Sequence, residues 1–283
     1  MPNNQKVILI TGCSSGFGLL FAARLAKAGH FVYATMRDVN KRKELIDEVN
    51  KRGALVNIRA LDVNKEQTIK SVINEIMERH HHIDVVINNA GYGLGGFFED
   101  LSENEIRQQM ETNFFGVQRV CRLVLPHMRL AQKGLIINMS SIAGQTATLC
   151  LGAYNASKWA LEGFSESLYY EVAAFGIKLV LVEPGSYPTE IFKDNAKYGQ
   201  GYNNPQSPYY EFTKRIVDFM HTYTRKLDRD PEHVAKLVEK IINTPNPRLR
   251  YASDFAAWCR IVFSRVTPPW VYGLLYTKVI FKP

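Results

Sequence analysis

Tyr154 and Lys158 are the residues of this chain whose types and spacing best suit acid–base chemistry. They stand four positions apart in a stretch with helical spacing, so they fall on one face of a helix. A tyrosine hydroxyl has a pKa of about 10, and a neighbouring ammonium lowers that pKa by stabilising the phenolate. Ser141 follows a predicted strand, at the edge of an α/β sheet where ligands bind. The tyrosine–lysine pair alone also fits an ordinary amphipathic helix, so its meaning depends on the rest of the chain.

A glycine-rich turn joins the first predicted strand to the first predicted helix. Its glycines permit a tight turn and a close approach of the backbone to a pyrophosphate, and the helix N-terminus adds amide donors. Such a turn also occurs without any ligand, but its place in the first strand–helix unit favours a dinucleotide. The cofactor-binding residues that this turn predicts are Gly12, Ser14, Ser15, Gly16, Phe17 and Gly18.

The end of the second predicted strand bears on which nicotinamide cofactor is used. A carboxylate there would hydrogen-bond the adenosine ribose and repel a 2′-phosphate. Met36 occupies that position, and Arg37 follows it. A guanidinium pairs well with a phosphate, so NADP(H) is favoured over NAD(H), although the adjacent Asp38 could neutralise Arg37 in a surface ion pair.

Apolar, β-branched runs alternate with helical stretches up to about residue 185. Runs without period-two alternation are typical of parallel strands that are buried on both faces. The sequence therefore predicts an α/β fold with a Rossmann-type, doubly wound parallel β-sheet of about seven strands, flanked by helices. The predicted helices include 18–28, 40–52, 64–80 and 102–130, the last opened by a capping box at Ser102.

We predict a single domain over 1–251, followed by an extension over 252–283. Aromatic residues are dense over 187–226, which fits an apolar, ring-shaped or long-chain partner but also fits core or interface packing. The extension is aromatic and basic. This composition suits either peripheral contact with a membrane or packing against the protein.

The net charge of +8 favours anionic partners such as a phosphorylated cofactor, while no nucleic-acid-binding motif is recognisable, so we expect no nucleic acid partner. The four cysteines form no CxxC pair, and we find neither a secretory signal nor an uninterrupted apolar span. Reduced thiols and a cytoplasmic protein are therefore expected. The run His80–His82 has no acidic or cysteine partner at ligand spacing, so we expect no metal site.

Taken together, these motifs resemble those of the short-chain dehydrogenase/reductase family, over about residues 6–251. The residues within the motifs are most similar to those of its hydroxysteroid and retinol dehydrogenase branch. The resemblance implies hydride transfer between a nicotinamide cofactor and a carbonyl or secondary alcohol, in a homodimer or homotetramer. It also implies that 1–251 is one NAD(P)-binding catalytic domain, that 187–226 is a substrate-binding lid within it, and that the substrate is steroid-, retinoid- or lipid-like. The alternative is a non-catalytic nucleotide-sensing protein on the same scaffold, against which the intact proton-transfer residues argue. The motifs that carry the resemblance, in family order, are the glycine turn, Asn88-Asn89-Ala90-Gly91, the trio Ser141, Tyr154 and Lys158, and Pro184-Gly185.

The resemblance also implies roles for individual residues. Tyr154 would be the general acid or base, Lys158 would lower its pKa and bind the nicotinamide ribose, and Ser141 would orient the substrate oxygen. Asn113 would support a water-linked proton relay to the lysine, although a hydrogen bond to the helix backbone is an alternative.

Asp62 would contact the adenine, although it could instead cap a helix that begins near Asn64. Thr189 would bind the carboxamide. The other cofactor-binding residues that the resemblance implies are Val63, Asn89, Ala90, Gly91, Tyr154, Lys158, Pro184 and Gly185.

Overall fold

A seven-stranded, all-parallel sheet forms the centre of the protein, as seen in a computed structural model that describes residues 5–187, 197–226, 229–268 and 270–274. The strand order is β3-β2-β1-β4-β6-β7-β9, and β5 pairs with β8 in a separate two-stranded sheet. In chain order the strands are Val7–Ile10 (β1), Phe31–Met36 (β2), Asn57–Ala60 (β3), Val85–Asn88 (β4), Leu94–Gly95 (β5), Gly134–Met139 (β6), Ile177–Glu183 (β7), Lys197–Tyr198 (β8) and Arg250–Ala252 (β9).

Helices cover both faces of the sheet, which explains why its central strands are apolar throughout. On one face Phe21 and Val238 belong to the core, and on the other face Ile69, Val120 and Leu168 do. Alternate residues of each strand point to opposite faces, so a strand buried on both sides needs an unbroken apolar run. The helices are Gly16–Lys27 (α1), Lys43–Lys51 (α2), Glu66–His80 (α3), Glu103–Met110 (α4), Gly116–Leu130 (α5), Gly152–Ala173 (α6), Tyr210–Lys226 (α7), Glu232–Ile242 (α8) and Phe255–Val266 (α9).

The predicted doubly wound α/β sheet is thus confirmed, with one difference in the long fourth helix. The predicted capping box is present, because Ser102 accepts a hydrogen bond from the Glu105 amide and the Glu105 side chain bonds back. The single helix expected over 102–130 is instead α4 and α5 joined by a π-helical turn over Glu111–Phe115. Such turns occur often at functional sites, and this one contains Asn113.

The strand order reverses next to β1, because the chain first moves outward through β2 and β3 and then continues on the other side from β4. Ligands of open α/β sheets bind at the carboxyl ends of the strands beside such a reversal. Within the described residues, no helix is both long and apolar enough to cross a membrane.

Candidate active site

A cavity of about 480 Å³ opens at this reversal, at the carboxyl ends of β1 and β4. Most of the predicted cofactor-binding residues lie around it: Gly12, Ser14, Ser15, Gly16, Phe17, Arg37, Asp62, Val63, Asn89, Ala90 and Gly91. Gly18, Tyr154, Lys158, Pro184 and Gly185 are not in its lining, and Thr189 lies outside the described residues.

The glycine turn owes its shape to close packing against the segment after β4. Gly12 has φ +74°, and a Cβ at this position would lie 2.7 Å from the Ala90 Cα. The Asn89 side chain donates hydrogen bonds to the carbonyls of Thr11 at 3.0 Å and Gly12 at 2.8 Å. Gly18 packs against Gly12 and the Asn89 amide, so its role is to seat helix α1 on the turn. The backbone next to the cavity is therefore held in place before any ligand binds.

Two exposed basic residues from one short segment line the same cavity. Arg37 follows β2, and Lys41 lies in the 3-10 turn over Val39–Arg42. The Asp38 carboxylate accepts a hydrogen bond from the Asn40 amide at 3.0 Å. Among the ion pairs of the described residues, none joins Arg37 to Asp38, so the surface pair that the sequence left open is not formed. Both basic side chains are thus directed to a site suited to an anionic group.

Asp62 and Val63 form the part of the wall that follows β3. One Asp62 carboxylate oxygen accepts from the Asn64 amide at 3.0 Å, in a turn that precedes α3. The residue at the N-cap of α3 is Lys65, so Asp62 shapes the turn and does not cap the helix. Val63 is buried, and a Cβ on Gly116 would lie 2.8 Å from one of its methyl groups.

Asn113 connects three parts of the site. Its Oδ1 accepts from the Tyr92 amide at 3.1 Å, and its Nδ2 donates to the Tyr92 carbonyl at 3.0 Å and to Ser157 Oγ at 3.2 Å. The hydrogen-bonded backbone therefore belongs to the loop after β4 rather than to the helix of Asn113 itself. Ser157 in turn donates to the Tyr154 carbonyl at 2.7 Å.

Ser141 and Tyr154 meet beyond the carboxyl end of β6. The Ser141 side chain hydrogen-bonds to Tyr154, and its Oγ also accepts from the Ala143 amide at 3.1 Å. Burial raises the pKa of Tyr154 to about 12, although the bond to Ser141 acts in the opposite direction. The lowered tyrosine pKa expected from the sequence is therefore not produced by the protein alone.

Lys158 lies one helical turn after Tyr154, as its spacing predicts. Its Nζ donates to the Met139 carbonyl at 2.7 Å and stands 5.8 Å from the centre of the Tyr154 ring. Burial lowers the pKa of Lys158 to about 8, against an opposing effect of the Glu162 charge. The lysine is thus still mostly charged at pH 7, but it loses its proton far more readily than an exposed lysine does.

Pro184 and Gly185 lie next to this group through the backbone. The Pro184 carbonyl accepts from the Ile142 amide at 3.0 Å, and the Gly185 amide donates to Ser253 Oγ at 3.1 Å. These bonds tie the end of β7 to the turn after Ser141 and to the segment that precedes α9.

Sequence reasoning missed several residues of the cavity wall, chiefly Lys41, Tyr92, Gln108, Thr112 and Lys197. Lys197 comes from β8, and its Nζ lies 4.6 Å from the centre of the Tyr92 ring. Only the pairing of β8 with β5 brings it there, so no local pattern could reveal it. The second basic residue four positions after Arg37, Lys41, was a usable signal.

The surroundings of Tyr154 on the other side are apolar. Ala143, Leu151 and Tyr154 form a small buried cluster, and Met220 of helix α7 packs against it. The segment after β7 therefore covers the tyrosine with a flexible hydrophobic side chain.

The sheet, the glycine turn and the serine–tyrosine–lysine group fit a dinucleotide-dependent oxidoreductase. The sequence profile described as short chain dehydrogenase matches residues 6–198. The chain belongs to the short-chain dehydrogenase/reductase family and is an oxidoreductase that works with a nicotinamide cofactor.

Similar proteins are found in bacteria and animals. An uncharacterized oxidoreductase of Bacillus subtilis, YusZ, is 37% identical over 99% of this chain and 100% of its own. A 3-ketodihydrosphingosine reductase of Bacteroides thetaiotaomicron is 39% identical over 87% of this chain and 86% of its own. Retinol dehydrogenase 8 of Bos taurus is 33% identical over 98% of this chain and 90% of its own. The last of these supports the predicted retinol dehydrogenase branch.

Solved structures share the fold over nearly the whole chain. A short-chain dehydrogenase from Streptomyces avermitilis has a TM-score of 0.80 at 32% identity, covering 97% of this chain and 98% of its own. An actinorhodin polyketide ketoreductase with NADPH has a TM-score of 0.74 at 27% identity, covering 89% and 96%. A protein from Burkholderia phymatum in complex with NAD, 24% identical with a TM-score of 0.79 and covering 93% and 94%, shares the fold.

Proposed function

We propose that this oxidoreductase interconverts a carbonyl and a secondary alcohol on an apolar substrate, with Tyr154 as the general acid or base. The observation that supports this most is the hydrogen bond between Ser141 and Tyr154, beyond the carboxyl end of β6. When bound, the nicotinamide supplies or accepts the hydride, so the protein must orient the substrate oxygen and move one proton.

The proton-handling residues suit the direction of reduction in particular. A tyrosine with a pKa of about 12 is protonated at neutral pH and can donate to a carbonyl oxygen. Ser141 would hold that oxygen, and charged Lys158 would stabilise the phenolate left on Tyr154. Asn113, through Ser157, would keep the helix that carries both residues in register with the loop after β4.

The test is Tyr154→Phe, which removes one oxygen and keeps the ring. We expect kcat for carbonyl reduction to fall by about 10²- to 10⁴-fold, with the Kd for NADPH within about twofold of wild type. Unchanged turnover would refute the assignment. Cofactor binding without turnover in the wild-type protein itself, across apolar carbonyls, would favour a non-catalytic nucleotide sensor.

NADP(H) is the cofactor that the basic part of the cavity favours. Arg37 and Lys41 would bind the 2′-phosphate, and the glycine turn with the N-terminus of α1 would bind the pyrophosphate. We expect Arg37→Ala to weaken NADPH binding at least tenfold and NADH binding by less than twofold in a fluorescence titration. Arg42→Ala is the matched control, because Arg42 is also exposed but is not in the cavity wall. Equal losses of affinity for NADPH and NADH in Arg37→Ala would contradict the proposed preference for NADP(H).

An apolar substrate is supported by the cover over Tyr154 and by the relatives whose names specify a ketodihydrosphingosine and a retinol. In this proposal the segment 187–226 is the substrate lid. We expect kcat/KM to be at least tenfold higher for a long-chain ketone than for acetone. Met220→Gln should reduce this ratio, whereas Phe219→Ala, at an exposed neighbouring position, should not.

The C-terminal extension presents an apolar stripe that supports peripheral membrane contact. Ala257 and Ile261 of α9 pack on Ile142, while Phe255, Trp258 and Val266 are exposed. Trp258→Asp should reduce binding to anionic phosphatidylserine vesicles at least fivefold, because it removes an interfacial aromatic and adds a repelled charge. Phe98→Asp, at another exposed phenylalanine, is the control. Binding that Trp258→Asp leaves unchanged would show that the stripe is not the contact.

A homodimer or homotetramer is also proposed, by analogy with the family and because Trp159 and Tyr170 are exposed on α6. We expect light scattering to give a multiple of the 32.2 kDa chain mass and Trp159→Asp to lower it. A monomer at micromolar concentration would refute this.

A further inference from the structure

A buried polar cluster surrounds Glu162, one helical turn after Lys158 on α6. Glu162 of α6 and Glu183 of β7 are both buried and both accept from Gln145 Nε2, at 2.9 Å and 3.1 Å. Arg250 of β9 donates from its Nε to Glu162 at 3.0 Å and stands 3.6 Å from Glu183. Two carboxyl groups thus share one guanidinium and one amide.

Glu162 stands one helical turn after Lys158, so the two side chains lie on the same face of α6. Its second carboxylate oxygen, Oε1, is buried and has no hydrogen-bond partner among the residues that the structure describes. The loop after Ser141 packs against this turn of α6, since a Cβ on Gly144 would lie 3.0 Å from Glu162 Cγ and 3.1 Å from the backbone carbonyl of Lys158. A buried carboxylate with one oxygen unpaired is expensive unless a positive charge compensates it.

We propose that Glu162 is a positioning residue for Lys158, because the C-terminal part of the chain holds this buried carboxylate where it favours the charged form of the lysine. Burial pushes the lysine towards the neutral amine, and the Glu162 charge opposes that push. The use of this effect in catalysis rests on the proposed role of Lys158.

The charged groups around Glu162 come from every element packed against it. They are Lys158 and Glu166 on α6, Glu183 on β7, Arg250 on β9, and Arg265 on α9, which donates to Gln145 Oε1 at 2.8 Å. Burial, and then the neighbouring Glu162 charge, raise the pKa of Glu183 to about 7. On α6, Glu162 is the carboxylate closest in sequence to Lys158. Arg250, in the C-terminal part of the chain, holds this carboxylate in place.

The direct test is the titration of Lys158 in the cofactor-free protein, followed by NMR with lysine labelled with ¹³C at Cε. The resonance that is missing in Lys158→Arg identifies the residue. We expect Glu162→Gln to lower the pKa of Lys158 by about one pH unit, because it removes a charge and keeps the shape. Glu166→Gln is the matched control: it removes a carboxylate that pairs with the same Arg250 at 2.8 Å but lies half exposed.

Three results would overturn the proposal: an unchanged lysine titration in Glu162→Gln, an equal shift in Glu166→Gln, or a shift of about one unit in Glu162→Asp, which keeps the charge. If the glutamine variant does not fold, Glu162→Met, which also removes the charge at a similar side-chain length, takes its place with the same expected shift. In turnover assays, the limb of the pH–rate profile that depends on Lys158 should shift by the same amount as the pKa of Lys158. Because the NMR titration needs no activity, a failure of the proposed reaction would leave it interpretable.

Discussion

Asn113 and Tyr92 are joined by a pair of hydrogen bonds, from the Tyr92 amide to Asn113 Oδ1 at 3.1 Å and from Asn113 Nδ2 to the Tyr92 carbonyl at 3.0 Å. This pairing fixes the loop after β4, which lines the cavity, to the π-helical turn before α5. The same amide reaches Ser157 on the helix of Tyr154 and Lys158. One side chain thus links the cofactor cavity to the proposed proton-transfer residues.

Replacement of Asn113 by alanine can separate this structural role from the proposed relay. Gln109→Ala is the matched comparison, because buried Gln109 also donates to the Tyr92 carbonyl, at 2.8 Å, but does not bond to Ser157. Each change should lower the free energy of unfolding by about 1–3 kcal/mol in urea titrations. Only Asn113→Ala should also reduce kcat more than tenfold. Similar kcat values in the two variants would assign Asn113 a structural role alone.

The glycine turn offers a second matched pair. Gly12 and Gly29 both have positive φ, +74° and +88°, but a Cβ meets Ala90 at 2.7 Å only at Gly12, while Gly29 has open space. Gly29→Ala should cost about 1 kcal/mol, from backbone strain alone. Gly12→Ala should cost several-fold more and weaken NADPH binding at least tenfold. Equal losses of unfolding free energy would show that the contact with Ala90 relaxes.

Ser140 and Ser141 are neighbours in sequence, but only Ser141 bonds to Tyr154 among the contacts of the described residues. Ser141→Ala should raise the pKa of Tyr154 further, since burial then acts unopposed, and reduce kcat about 10²-fold. Ser140 Oγ is buried and has no hydrogen-bond partner within the described part of the chain, so Ser140→Ala should leave kcat within about twofold. Steady-state kinetics with NADPH and one apolar ketone would check both, and a larger loss in Ser140→Ala would contradict the assignment.

The fold was predictable because its signals are local. Apolar runs such as Val7–Ile10 mark strands buried on both faces, and the capping box at Ser102 marks a helix start without any tertiary information. The placement of the glycine turn followed from the same patterns, since a strand and a helix flank it.

The parts that were missed depend on contacts between distant segments. Lys197 reaches the cavity only through the pairing of β8 with β5, and the π-helical turn around Asn113 interrupts an otherwise regular helical pattern. The pKa of Tyr154 was expected to be low from its spacing to Lys158. Burial raises it, and burial is a property of the packed site that spacing does not contain.

Glu183 provides a stability test of the buried polar cluster around Glu162. Its pKa of about 7 in the folded protein lies above the ordinary glutamate value of about 4.3. Between these values the folded protein keeps a proton that the unfolded chain releases, so this group makes the free energy of unfolding fall as pH rises towards 7 and level off above it. Glu183→Gln should remove this contribution and gain up to about 3 kcal/mol at about pH 8.

Urea unfolding between about pH 5 and pH 8 checks this prediction. Glu166→Gln is the control, because it removes a half-exposed carboxylate that pairs with the same arginine. This control should keep the pH dependence of the wild-type protein. The comparison isolates burial as the cause, because both carboxylates neighbour Arg250 but only Glu183 is enclosed by β7, Gln145 and Glu162. A parallel loss of stability in Glu183→Gln and wild type as pH rises would show that the raised pKa belongs to another group. Glu183 would then be ionised in the folded protein, with its charge compensated by Arg250.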